Sequence, residues 1–155
     1  MAKASDKRLK IIMLVLTGLT ISFALIHSMM PASVSTLEST AVYEIIFKIF
    51  KFFGFGADLT EHIVRKAAHF SEFCAIGVLS TGCAYAFCKK RPSKYTVQVF
   101  FTVLATAVCD ETIQLNVPGR AGMITDVLID FSGVLTGFVI ALIYFWIYRK
   151  IKRIR

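Results

Sequence analysis

The stretch Cys109-Asp110-Glu111-Thr112-Ile113-Gln114 closes an apolar run that begins near Tyr95. Two adjacent carboxylates and an amide in such a run are hard to explain by packing. Ionisable groups inside a membrane segment are costly, face the interior of a helix bundle and mark functional sites. Flanking stretches supply partners. Arg65, His69 and Glu72 are spaced i, i+4, i+7 and form one helical stripe, with Lys66 beside it. Asp126 and Asp130 are spaced i, i+4, and Gly133 and Gly137 continue their stripe. Arg120 follows Pro118-Gly119, a turn signal in which proline fixes one dihedral and glycine frees the next.

These residue types suit three kinds of chemistry. Neighbouring buried carboxylates favour sharing a proton over carrying two charges. Asp110 and Glu111 are therefore the expected acid–base pair, with His69 polarised by Glu72 as the other catalytic candidates. Arg65, Lys66 and Arg120 would hold a phosphate or carboxylate headgroup, with Gln114, Asp126 and Asp130 completing the binding set. No nucleophile stands out, so the sequence leaves open both the reaction type and whether catalysis occurs. The second reading is a divalent metal held by Glu72, Asp110, Glu111 and Asp130, with His69, because hard cations take oxygen ligands. No other cofactor is expected. The third reading is non-catalytic: a binding or shielding protein, or a small transporter. Confinement of the polar residues to one half of the bilayer argues against a complete transport path. A purely structural ion-pair network is the remaining alternative, although burial costs such networks about as much as attraction returns.

The elements that must position these groups follow from composition. The chain has 155 residues, 56% hydrophobic and only 18% charged, well away from a soluble domain. Four runs, about 11–30, 62–88, 95–116 and 123–148, approach the roughly 20 apolar residues that span a bilayer. The expected fold is an all-α membrane protein, a single membrane domain over residues 1–155 with four transmembrane helices. Of the 18 basic residues, thirteen fall in three clusters: Lys3, Lys7, Arg8 and Lys10; Lys89, Lys90, Arg91 and Lys94; and Arg149, Lys150, Lys152, Arg153 and Arg155. Positive-inside placement makes both termini and the middle loop cytoplasmic. The polar residues then share the extracellular half, with Glu72 roughly 16 Å along its helix from Glu61. The net charge of +8 reflects these topology signals and contacts with anionic lipid, not nucleic-acid binding.

Between the first two spans, Val42, Ile45, Ile46, Ile49, Phe50 and Phe53 recur at helical spacing. They predict an amphipathic interfacial helix over about 38–53, ended by Gly54 and Gly56; a lid over the bundle is the alternative. Asp58 and Glu61 form a capping-box signal for the next helix. Gly133-x-x-x-Gly137 predicts close helix approach. Cys74, Cys83, Cys88 and Cys109 lack metal-ligand spacing and read as small buried hydrophobes. His27 reads as a packing or interfacial residue.

Arg65-Lys66-x-x-His69-x-x-Glu72-Phe73, Asp110-Glu111-x-x-Gln114 with the Pro-Gly-Arg120 turn, and Asp126-x-x-x-Asp130-x-x-Gly133-x-x-x-Gly137 together resemble the VanZ-like family of small bacterial membrane proteins. The resemblance covers about residues 63–138. The family's founding member is associated with resistance to the lipoglycopeptide teicoplanin. The resemblance therefore implies a cell-envelope role in the bacterial cytoplasmic membrane. Expected partners are membrane lipids, lipid-linked envelope precursors or a lipoglycopeptide antibiotic. It supplies no mechanism, and the oligomeric state stays open.

Overall fold

A computed structural model describes residues 2–53, 60–88, 95–120 and 122–154. The described residues form five α-helices: α1 Ala2–Ser28, α2 Ala32–Phe52, α3 Glu61–Phe87, α4 Thr96–Leu115 and α5 Ile124–Ile154. Four of them, α1, α3, α4 and α5, are long and apolar enough to cross a membrane. They occupy the four apolar runs of the sequence. Their outward residues are apolar, among them Leu14, Leu19, Phe23, Val97, Phe101, Leu128 and Val139.

The helix α2 begins earlier than its apolar periodicity, at Ala32. Pro31 explains the difference. Its fixed φ suits a helix start, and its carbonyl accepts from the Val34 and Ser35 N–H groups at 3.1 Å each. At the head of α3 the cap is Thr60, whose Oγ1 accepts from the Ile63 N–H at 3.3 Å. Asp58, Gly54 and Gly56 lie outside the described residues. So do the cluster from Lys89 to Lys94 and the side chains of Lys3, Arg153 and Arg155.

The helices α3 and α5 run in the same direction and make the closest approach in the bundle. A Cβ on Gly133 would meet the Phe70 carbonyl, one on Gly137 the Cys74 carbonyl, and one on Gly77 the Val134 carbonyl. Each obstacle is backbone, so a side chain at any of these positions forces the helices apart. Gly77 was not expected from the sequence; its partner is a carbonyl on another helix, which periodicity does not reveal. Around this seam Ala24, Phe73, Ile76, Val103, Ala107 and Val134 form the apolar core.

Two ends of the bundle differ sharply in composition. One gathers the end of α1, the starts of α2, α3 and α5, and the end of α4. There the Ala32 N–H donates to the Pro118 carbonyl at 3.4 Å, tying the α1–α2 turn to the α4–α5 turn. The other end carries Lys7, Arg8 and Lys10 on α1 and Arg149, Lys150 and Lys152 on α5. Lys10 Nζ sits 5.7 Å from the Phe87 ring centroid, so the start of α1 lies beside the end of α3. The four cysteines are free. Burial was expected for all, but Cys109 is exposed and the other three are only partly buried. Cys109 precedes Asp110, which is turned inward, and one residue of helical rotation aims it outward.

Candidate functional site

The polar residues of three helices converge at the first of these ends. On α3, His69 lies about 12 Å from the helix start at Glu61, by a rise of 1.5 Å per residue. On α4, Asp110 lies about 7.5 Å before the helix end at Leu115, and on α5 Asp130 lies about 9 Å after Ile124. These depths coincide because α4 runs against α3 and α5. The glycine seam then fixes the lateral distance. Asp130 stands one helical turn before Gly133, so the contact that seats Gly133 on Phe70 also brings Asp130 to His69. Asp130 Oδ1 is 3.8 Å from His69 Nδ1.

Asp110 is buried and its two oxygens are separately held. Oδ1 accepts from the Ser28 hydroxyl on α1, and Oδ2 accepts from Gln114 Nε2, one turn along α4, at 2.7 Å. Glu111 points toward the α4–α5 turn, where its Oε2 accepts from the Met123 N–H at 3.0 Å. Gly122 allows this return of the chain. A Cβ there would lie 2.7 Å from the Glu111 carbonyl and 2.8 Å from the Leu115 side chain. Lys66 and Asp126 form a partly buried ion pair of 2.9 Å between α3 and α5.

These groups surround a cavity of about 200 Å³. Arg65, Lys66, His69, Glu111, Gln114, Arg120, Asp126 and Asp130 all line it. Arg120 arrives from the turn between α4 and α5, just after Gly119, whose φ of 77° requires a residue without a Cβ. Burial lowers the pKa of Arg120 from its usual value, and the charge of Arg65 acts in the same direction; Asp110 and Glu111 oppose both. Arg120 Nη2 is buried without a hydrogen-bond partner among the described residues. The same holds for both oxygens of Asp130 and for Glu72 Oε1. The cavity thus presents an unused buried donor at one point and unused buried acceptors at another.

The arrangement differs from the sequence expectation at three points. Glu72 does not line the cavity. His69 turns its Nδ1 toward Asp130 on the neighbouring helix, in place of the expected polarisation by Glu72. At i+3, Glu72 lies a turn deeper, beyond the level at which α4 and α5 present their carboxylates. Asp110 and Glu111 do not form a facing pair either, since adjacent helical residues diverge by about 100°. The carboxylate that Asp110 meets is Asp130. A compact set of possible metal ligands accordingly contains His69, Asp110 and Asp130, whose ligand atoms lie within 4.8 Å of one another. The expected set with Glu72 and Glu111 is not the one brought together.

Ser28 and the Met123 N–H were not expected in the site. A serine ending an apolar helix carries little signal by itself. Only the common level of the ends of α1 and α4 gives it a role. A backbone N–H has no sequence signal at all. His27 pairs with Glu38 of α2 at 2.9 Å, at the rim.

A protein-family model described as VanZ/LLP1 matches residues 12–147. The match extends beyond residues 63–138 to take in α2 and nearly all of the apolar stretch of α1. No curated protein and no solved structure matches the chain.

Proposed function

Because this chain belongs to the VanZ/LLP1 family of proteins, we propose that its polar cavity binds the anionic headgroup of an outer-leaflet lipid or lipid-linked glycan of the bacterial envelope. The family match and four membrane-spanning helices make it a VanZ-like multi-pass membrane protein. The observation that carries the proposal is Arg120: a guanidinium whose buried Nη2 has no hydrogen-bond partner among the described residues, at a cavity also lined by Arg65 and Lys66. A phosphate or carboxylate supplies the acceptor this donor lacks, and planar guanidinium suits either group. Three of the nearby carboxylates are already engaged elsewhere, and Asp130 is the cavity-lining carboxylate with no hydrogen-bond donor among the described residues. Asp110, Glu111 and Asp126 accept from Ser28 and Gln114, from Met123 and from Lys66 respectively.

The orientation supports an extracellular opening. Lys7, Arg8 and Lys10, with Arg149, Lys150 and Lys152, lie at the opposite end of the bundle, and basic ends face the cytoplasm. Both termini are then cytoplasmic, and α2 lies at the outer surface. In the membrane the acyl or polyprenyl chains of a bound lipid would rest against the apolar helix surfaces while the headgroup enters between α3, α4 and α5. His69 and Asp130 stand deeper than the cations and face whatever group the headgroup presents. An acid–base role for Asp110 and Glu111, which do not face each other, depends on a covalent change in that ligand.

Mass spectrometry of envelope lipids and lipid-linked precursors tests the reading. The strains compared carry the wild type, no protein, or a folded Asp110→Asn/Glu111→Gln variant, with teicoplanin susceptibility recorded alongside. A covalent change that requires the carboxylates makes the protein an enzyme and identifies its substrate. An unchanged inventory with altered susceptibility leaves binding or shielding and removes the acid–base roles. No change in either removes the proposal.

A further inference from the structure

Every carboxylate that lines the cavity has a hydrogen-bond donor except Asp130. Lys66 serves Asp126, and the Met123 N–H serves Glu111. Asp110, behind them, is served twice, by Ser28 and Gln114. Asp130 is fully buried, with neither oxygen hydrogen-bonded among the described residues. A buried polar group left bare is expensive, and a bare charge more so. Two groups beside it are themselves ligand types: His69 Nδ1 at 3.8 Å and the Asp110 carboxylate, the three ligand atoms lying within 4.8 Å of one another. The three come from α3, α5 and α4, so the bundle must be assembled before they meet.

We infer that His69, Asp110 and Asp130 bind one divalent cation with mixed nitrogen and oxygen preference, of the Zn²⁺ or Mn²⁺ type. Two carboxylates balance a charge of two, and a cation takes up the Asp130 oxygens that no donor among the described residues hydrogen-bonds. An imidazole with two carboxylates suits these ions better than Mg²⁺, which keeps an oxygen shell rich in water. Metal–ligand bonds of roughly 2.0–2.2 Å place donor atoms about 3–4 Å apart, which asks for a small contraction of this set. Ser28 and Gln114 act one layer out. They hold the Asp110 carboxylate by both oxygens and so fix its orientation, as partners of metal ligands do.

This inference rests on the headgroup reading for its purpose. The cavity that Arg65, Lys66 and Arg120 line is also lined by His69 and Asp130. A bound phosphate would therefore have cations on one side and the metal on the other. A metal so placed polarises a phosphoryl oxygen. The competing account of the same geometry is a proton shared between Asp110 and Asp130, with no metal bound.

The test uses full-length protein purified through a tag without histidine, stripped with chelator and embedded in nanodiscs. It is equilibrated with Zn²⁺ or Mn²⁺ alone, and bound metal is measured by elemental mass spectrometry together with the thermal unfolding midpoint. The expected result is one metal per chain and a raised midpoint. Asp130→Asn and His69→Gln, which remove ligands, should each weaken affinity by more than the roughly ten-fold that loss of an outer-shell partner costs, while His62→Gln, on the exposed start of α3, should leave it unchanged. Asp130→Asn is close to isosteric; if it fails to fold, His69→Gln decides alone. Absence of stoichiometric metal, or equal retention by the His69→Gln variant, overturns the inference and favours the shared proton. Binding of a short-chain lipid phosphate by the metal-free protein separates the two proposals. If that binding persists without metal, only the metal is lost; if metal binds but the lipid phosphate does not, only the headgroup reading fails.

Discussion

The two ends of this bundle hold cavities of opposite character. The basic end has a groove of about 970 Å³, lined by residues such as Met13, Val78, Tyr85, Ile140 and Phe145. Its aromatic and cationic groups are matched to each other. Tyr85 stacks on Phe145 at 3.9 Å, Arg149 lies 5.2 Å from the Tyr85 ring, and Lys150 lies 5.3 Å from that of Trp146. The polar end encloses only about 200 Å³, yet among the described residues it holds one buried donor, Arg120 Nη2, and two buried acceptors, the oxygens of Asp130, without a hydrogen-bond partner. The larger space is bordered by apolar side chains and by aromatic rings that neighbouring rings and cations already contact. The smaller one is the space in which the headgroup proposal places its ligand. Unsatisfied chemistry, and not volume, separates a site from a gap between helices.

That contrast can be broken in several ways, beginning with an all-or-none result. In a background without Cys74, Cys83, Cys88 and Cys109, a cysteine at Asn116 should be labelled by a membrane-impermeant maleimide from outside intact cells. A cysteine at Leu9 should not. Reversed labelling would place the polar end in the cytoplasm and remove the outer-leaflet ligand.

The next effect in size lies between the two ends. Gly137→Leu drives a side chain into the Cys74 carbonyl, and overpacking of this kind costs about 3 kcal/mol or more. Denaturant unfolding in detergent should show that loss, and Gly133→Leu should behave alike. A folded Gly137→Leu protein of wild-type stability would remove the seam as the device that sets the His69–Asp130 distance.

Smaller effects sharpen the division of labour. Ser28→Ala deprives buried Asp110 of one donor and should cost about 1 kcal/mol of stability. It should also weaken metal binding, because Asp110 loses its fixed orientation. Tyr85→Leu removes the stack on Phe145 and should cost about 0.5–1.5 kcal/mol. Titration of a lipid phosphate should show its affinity unchanged in that variant. If Tyr85→Leu weakened binding as much as Arg120→Gln, the two ends would not be separable.

Much of the polar end was legible in the sequence because charge in an apolar run has few explanations. The stripes Arg65–His69 and Asp126–Asp130, and the Gly133–Gly137 continuation, already gave helix faces. Alternating spans gave a common level. What escaped was the rotation of each helix against the others. Asp110 and Glu111 are neighbours in sequence but diverge in space. Glu72 shares a stripe with His69 but lies a turn below the cavity. Ser28 and the Met123 N–H became visible only when the ends of α1 and α4 and the turn before α5 were assembled. The start of α2 escaped for another reason: Pro31, which follows α1, also starts the next helix, ahead of the apolar periodicity.

The most direct measurement is equilibrium binding of short-chain lipids to the protein in nanodiscs, comparing dihexanoyl phosphatidic acid with dihexanoyl phosphatidylcholine, for wild type and Arg120→Gln. A charge-assisted contact of about 1.5–3 kcal/mol corresponds to a preference of roughly ten- to a hundred-fold. The account predicts that preference for the anionic lipid in wild type and its loss in Arg120→Gln. Equal binding of the two lipids, or an anionic preference that survives Arg120→Gln unchanged, would contradict it.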